Sequence, residues 1–374
     1  MTTDAYIKLA QHLDSLPGGF PSTPSGVELR ILRRLFTPEE AELALSLTLL
    51  TEESRVIAHR AGIPVEEAAQ RLAEMETKGL LFAVHPPGEP PQYMAMNFVV
   101  GIWEFQVARL TPGLIEEFEE YMPYLFAASW NKVPQLRTIP INESIDSTMD
   151  VMSYEKAEEL VRAQDRMTVT PCICRQEQRM RGKGCDKPLE TCLSFGDGAD
   201  FYRHNGWGRA ITQEEALGIL KQAQKAGLVV SPSNSQRASF ICFCCGCCCA
   251  VLRSAKSHPK PADLVSSPFT AQVDPDTCIG CSLCLKRCQM DAIKLENRIA
   301  VLDADRCIGC GLCVNTCPGH SLSMKRKTDN PHALVPKSVA TMNIKLGRAR
   351  GKMTNMGLAR MLLKSKIDRL LSPK

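Results

Sequence analysis

The spacing of apolar and polar positions changes character along the chain. Residues 37–48, TPEEAELALSLT, open with Thr37 at an N-cap position and Pro38 at the first helical position, and apolar residues then recur at helical spacing. EESRVIAHRAG (52–62) predicts a short helix closed by Gly62. IPVEEAAQRLAEMETKG (63–79) predicts a longer one, with Val65, Ala68, Ala69, Leu72 and Met75 on one face and Gly79 at its end. LLFAVH and QYMAMNFVV then flank the turn PPGEPP, a hairpin pattern. Helices are also predicted at 111–130 and 153–165, an extended segment at 136–144, and a strand at 168–170. The stretch ITQEEALGILKQAQKAGLVV (211–230) has Thr212 as a cap, Glu215 three residues on, a periodic apolar face and Gly227 at its close. It predicts a helix that hands the chain to a strand, with cysteine-bearing loops at 172–192 and 242–249 on either side.

The chain has 374 residues, 44% hydrophobic and 23% charged, enough for two or three domains with real cores. Cysteine departs from the ordinary: there are 18, all between Cys172 and Cys317. The N-terminus, MTTDAYIKLAQHLDS, lacks the basic and apolar regions of an export leader. The longest apolar-looking run, residues 240–252, falls short of the roughly 20 residues a membrane span needs. These features imply a cytoplasmic protein without a transmembrane segment, using thiolates as metal ligands in a reducing compartment. The net charge of +4 is uneven: residues 321–374 carry 13 Lys and Arg against Asp329 and Asp368, so +11 lies there and about −7 elsewhere.

An internal repeat carries the clearest chemistry. DPDTCIGCSLCLKRC (274–288) recurs as DADRCIGCGLCVNTC (303–317), with every cysteine displaced by 29 positions. Each run reads C-x2-C-x2-C-x3-C; Pro318 follows the second and Gln289 the first. Zinc prefers two close pairs separated by a longer spacer and has no use for a third close cysteine in each run. Residues 270–326 resemble the bacterial two-cluster ferredoxins. In that arrangement three cysteines of a run wrap one cubane, glycines let backbone amides approach its sulfurs, and the fourth cysteine ligates the other cluster. The resemblance implies two 4Fe–4S clusters, one on Cys278, Cys281, Cys284 and Cys317, the other on Cys307, Cys310, Cys313 and Cys288.

Ten cysteines remain: Cys172, Cys174, Cys185, Cys192, Cys242, Cys244, Cys245, Cys247, Cys248 and Cys249. Arg175, Arg179, Arg181 and Lys183 lie among the first four and would offset thiolate charge. Six cysteines within ICFCCGCCC (241–249) cannot all bind one ion or one cubane. On an extended reading Cys245, Cys247 and Cys249 share one face and Cys242, Cys244 and Cys248 the other, with Gly246 allowing a turn. One or two further centres, iron–sulfur or zinc, are expected between this run and the 172–192 loop; redox-active or buried thiols are the remaining alternative. The arrangement is similar to uncharacterised ferredoxin-fused iron–sulfur proteins of anaerobic bacteria. His204 and Trp207 of FYRHNGWGR either line a site near the cysteine loops or form a polar loop packed under a domain. No GxGxxG or Walker A pattern points to flavin, NAD or ATP.

The helix, turn, helix, hairpin layout of the first hundred residues resembles a winged helix. Its recognition-helix candidate carries Glu66, Glu67, Glu74 and Glu76 against Arg71 and Lys78, the wrong sign for phosphate, so nucleic acid is not the favoured partner. GLARMLLKSKIDRLL (357–371) places Leu358, Met361, Leu362 and Ile367 near one face with Arg360, Lys364, Lys366 and Arg369 around it. Such a helix docks on an acidic partner or an anionic membrane surface, or packs on its own domain. The expected fold is α+β and multi-domain: a winged-helix-like domain (1–110), a cysteine-rich α/β middle domain (111–262), a ferredoxin-like domain with two 4Fe–4S clusters (263–326) and a basic tail (327–374). The expected function is electron transfer, as a relay protein or oxidoreductase subunit serving a redox partner protein; the alternatives are an iron–sulfur redox-sensing transcriptional regulator and a zinc-stabilised scaffold.

Overall fold

A computed structural model describes residues 4–141, 144, 151–328 and 334–373. Helix and sheet are mixed, and the chain divides into two units: Met1–Val133 with Phe201–Trp207 and Asn343–Lys374, and Pro134–Asp200 with Gly208–Met342.

The first unit begins with α1 (Ala5–Ser15), α2 (Val27–Leu35) and α3 (Pro38–Ala44). Helix α3 starts where its capping residues put it. The Thr37 hydroxyl accepts from the Glu40 amide at 3.2 Å, and the Glu40 carboxylate accepts from the Thr37 amide at 2.9 Å. A short strand β1 (Glu52–Glu53), which the sequence pattern does not reveal, precedes α4 (Ser54–Ala61) and α5 (Val65–Thr77). Strands β2 (Phe82–Val84) and β3 (Gln92–Met94) form the expected hairpin, and β1 adds to it in the order β1-β3-β2. Ala68, Leu72 and Met75 of α5 are buried, whereas Val65 and Ala69 are only half-buried. Helix α6 (Pro112–Leu125) is tied to α2 by Arg34 and Glu117 at 2.6 Å and packs Phe118 flat on Trp103, ring centroids 3.5 Å apart.

The second unit opens with an extended stretch that bridges at Leu136 to Ser233 and at Ile139 to Val230. After α7 (Ala157–Arg162) come β4 (Met167–Pro171), α8 (Ile173–Met180), β5 (Glu190–Phe195), α9 (Asp197–His204), β6 (Arg209–Ala210), α10 (Gln213–Lys225), β7 (Val229–Pro232) and β8 (Phe240–Cys244). The five strands form one antiparallel sheet in the order β6-β4-β5-β8-β7. Helix α10 opens with the capping box formed by Thr212 and Glu215. Helices α11 (Ala250–Lys256) and α12 (Pro261–Leu264) lead into β9 (Phe269–Val273), α13 (Leu283–Arg287), β10 (Ile293–Glu296), β11 (Ile299–Leu302) and β12 (Leu322–Arg326).

Residues 201–207, at the end of α9, belong to the first unit. Phe201, Tyr202 and Trp207 surround Phe105 at centroid distances of 4.8, 5.7 and 6.0 Å. Of the two readings of FYRHNGWGR, packing under a domain is the one observed for Trp207, because its indole is the apolar partner this cluster needs.

Helices α14 (Val339–Ala349) and α15 (Asn355–Leu371) end the chain, and α15 packs on α4. Its inward face is not the apolar one. Ser365 and Asp368 are buried, whereas Leu362, Leu363, Ile367 and Leu370 are exposed. The reason lies in Glu52, whose side chain is fully buried and must be compensated. Arg60 reaches it at 2.9 Å and reaches Asp368 at 2.9 Å, and the Ser365 hydroxyl donates to Glu52 at 2.6 Å. Burial alone would raise the Glu52 pKa, but these donors hold it below the usual carboxylate range. Arg60→Ala strands Glu52 and is expected to destabilise this unit by about 3 kcal/mol in urea unfolding at pH 7; an unchanged midpoint would show that the network contributes nothing. Among the described residues no helix is long and apolar enough to cross a membrane.

Candidate metal centres

The two cysteine runs fold as a pseudo-symmetric pair. Strand β12 of the second repeat pairs with β9 of the first, and β10 of the first pairs with β11 of the second. The registers are equivalent: Leu322 faces Val273 in one ladder and Ile293 faces Leu302 in the other, each residue 29 positions from its counterpart. Backbone amides follow the same exchange. Ala300 donates to the Cys278 sulfur and Ala271 to the Cys307 sulfur, both at 3.4 Å. Such amides are the donors that stabilise negative sulfur.

Glycine is required where the backbone turns tightest. Gly280 and Gly309 both have φ of +69°, and a Cβ on either would lie 2.3 Å from the Arg298 carbonyl oxygen or 2.1 Å from that of Phe269. The next turn position is Gly311 in the second run, φ +73°, and Ser282 in the first, φ +66°. The loop geometry is thus repeated even where the residue is not.

Cys288 leaves its own run's neighbours and joins the other set. A small pocket is lined by Cys288, Cys307, Cys310 and Cys313, with Ile308 and Leu312 closing its apolar wall. Burial, then the charges of Cys288 and Cys307, push the Cys310 thiol up to about 12. In the complementary set, burial and the charges of Cys281 and Cys317 raise Cys284. Cys278 is held low by the amides of Ala300 and Gly280. Thiolates crowded in this way need added positive charge, which a metal supplies.

The ten upstream thiols separate into two groups. Cys185, Cys245, Cys247 and Cys248 bring their sulfurs within 4.8 Å of one another; Cys248 lies 3.6 Å from Cys185, and Cys185 lies 4.0 Å from Cys245. That is a four-thiol cage of tetrahedral type. Burial would raise the Cys185 thiol, but the Lys187 amide and the neighbouring thiols outweigh it and lower the pKa. The other six form a continuous chain of thiol contacts, Cys172–Cys174–Cys249–Cys244–Cys242–Cys192. Cys192 of β5 stands directly opposite Cys242 of β8, and Cys172 and Cys249 cap α8 and α11. Cys242 and Cys249 donate to Cys244 and hold its pKa at about 5 against the cost of burial.

This differs from the extended reading of 241–249. The strand stops at Cys244, and a turn at Gly246 sends Cys245, Cys247 and Cys248 to the cage while Cys249 rejoins Cys244. Its neighbour leaves room only for glycine. A Cβ at Gly246 would meet the Gln289 carbonyl oxygen at 2.2 Å, and the Gly246 amide donates to the Gln289 side chain at 2.8 Å. Gln289 follows Cys288 and replaces the proline that follows Cys317; its role is a contact that sequence reading had no means to see.

Between the two groups sits Arg175, 1% exposed. It donates to the Phe243 carbonyl at 3.0 and 3.1 Å and to Thr191, and its Nη1 lies 3.8 Å from the Cys245 sulfur. Burial opposes its charge, yet Cys172, Cys245 and Cys244 together raise its pKa. Of the four cations noted among these cysteines, Arg175 is the buried one.

Residues 271–324, 54 of the 374, match the family of 4Fe–4S dicluster domains. The chain therefore carries an iron–sulfur domain of ferredoxin type, and with it at least one iron–sulfur cluster. No curated protein and no solved structure matches the chain.

Proposed function

We propose that this protein is an iron–sulfur electron relay whose second unit holds a two-cluster ferredoxin domain wired to additional thiolate centres. Cys278, Cys281, Cys284 and Cys317 hold one 4Fe–4S cluster, and Cys288, Cys307, Cys310 and Cys313 the other. Cys185, Cys245, Cys247 and Cys248 hold a third centre, and Cys172, Cys174, Cys192, Cys242, Cys244 and Cys249 form a fourth thiolate site. Bound, these centres take up and pass on single electrons.

The observation that carries this reading is the bond from Gly246 to Gln289. It joins the loop of the four-thiol cage to the residue beside Cys288, so the third centre abuts the second cluster. Cys281 and Cys247 are the exposed thiols among the 18, which suits them to mark where electrons enter and leave. Arg175 places a fixed positive charge beside the Cys245 sulfur.

The first unit is read as a winged-helix-like, protein-docking module, supported by the order α4, α5, β2, β3 with β1 closing the sheet. The exposed Glu66 and Glu74 on α5 speak against a DNA-binding sensor. The exposed apolar residues of α15, bordered by Arg360, Lys364 and Lys366, suit an acidic redox partner.

Metal analysis of protein purified without oxygen, with EPR on stepwise dithionite reduction, tests the relay. The ferredoxin pair accounts for about eight irons; one iron in the four-thiol cage raises the count to about nine, and a cluster on the remaining six thiols to about twelve or more. A count of about eight irons would overturn the relay beyond the ferredoxin domain.

A further inference from the structure

A second kind of metal-binding geometry lies in the first unit and involves no cysteine. Glu76, near the end of α5, is 3% exposed. His85 directly follows β2, and His204 lies in the last turn of α9. The two imidazoles stack, centroids 3.9 Å apart at 25°, and both direct Nε2 to one carboxylate oxygen of Glu76: His85 at 2.9 Å and His204 at 3.8 Å. The donor atoms of all three lie within 4.8 Å of one another.

A hydrogen bond explains the first distance and not the second, which is too long. Metal bonds of about 2.0–2.2 Å at tetrahedral angles separate donor atoms by roughly 3.3–3.6 Å, a value the two distances bracket. Glu76 is buried, and among the described residues no Lys or Arg pairs with it, so its charge calls for a cation close by. Asn205 donates to the same oxygen at 3.2 Å and orients the carboxylate, as partners beyond the ligands do in metal sites. The ring edges of His85 and His204 remain open to solvent, with side chains 32% and 54% exposed.

We propose that Glu76, His85 and His204 bind one divalent transition-metal ion of the zinc class, leaving a coordination position for water or an exchangeable ligand. Two imidazoles and a carboxylate are a borderline donor set suited to Zn2+, distinct from the soft thiolates of the second unit.

The test uses the full-length, anoxically purified protein with its clusters loaded, so that thiolates are already occupied. Co2+ is titrated in and followed by visible spectroscopy, with zinc and iron counted in parallel. One Co2+ per chain is expected, with ligand-field bands and no sulfur-to-cobalt charge transfer, and Zn2+ should displace it. His204→Gln and His85→Ala should each weaken binding by about 100-fold, and Asn205→Ala by about tenfold, with iron unchanged. His204 is the most exposed of the three, so its replacement leaves the fold intact and separates loss of ligand from loss of structure. Absence of the bands, a sulfur charge-transfer band, or equal uptake by His204→Gln would overturn the site.

Discussion

Combining Cys288→Ala with Cys307→Ala is expected to cost no more iron than either change alone, about four per chain. Combining Cys288→Ala with Cys278→Ala is expected to empty both clusters, a loss of about eight. The contrast follows from the exchange between repeats. Cys288 lines the cavity of Cys307, Cys310 and Cys313, while the charges of Cys281 and Cys317 act on Cys284. Two changes on one cluster are redundant, and two on different clusters add. If each run held its own cluster, the outcomes would be reversed: the pair at 278 and 288 would cost about four irons and the pair at 288 and 307 about eight. Iron and sulfide analysis of the anoxic protein reads the difference directly. The apolar wall of Ile308 and Leu312 is retained in both double variants, so any shared effect on folding cancels in the comparison.

Arg175→Met is expected to abolish metal loading of the upstream thiols while sparing the ferredoxin pair, and to destabilise the second unit by about 3–5 kcal/mol. The side chains are close in volume, so the change deletes charge and donors more than packing. Left behind would be the Phe243 carbonyl, Thr191 and the Cys245 sulfur, all buried and each missing its partner. The sulfurs of Cys245, Cys172 and Cys244, whose charges act on this guanidinium, would lose the cation beside them. Arg175→Lys restores the charge without the planar fork and should recover part of the loading. Iron content and urea midpoints of the three proteins decide it: unchanged loading and stability in Arg175→Met would remove the guanidinium from any role in these centres.

Local chemistry made much of this molecule readable in advance. The caps at Thr37 and Thr212 announce their helices because a side chain satisfies amides only three residues away. The 29-residue repeat announces a cluster-binding fold because cubane geometry dictates cysteine spacing within one loop. The strand β1 escaped notice because two residues hold no period, and its existence depends on β3, some forty positions later. The inward face of α15 escaped notice because hydrophobic spacing cannot register a buried carboxylate at Glu52, more than three hundred positions away.

The candidate site divides in the same way. Residue identity and spacing alone settled that thiolates in ferredoxin register are present, and that a basic segment lies among the upstream cysteines. Which sulfurs share a cage was decided only by the folded chain: β5 and β8 set Cys192 against Cys242, β8 ends between Cys244 and Cys245, and Gly246 admits the close approach of Gln289. Spacing along a chain constrains only groups a few bonds apart, whereas a metal centre is defined by distances through space, and those are fixed by strand pairing and by backbone contacts that exclude a single Cβ.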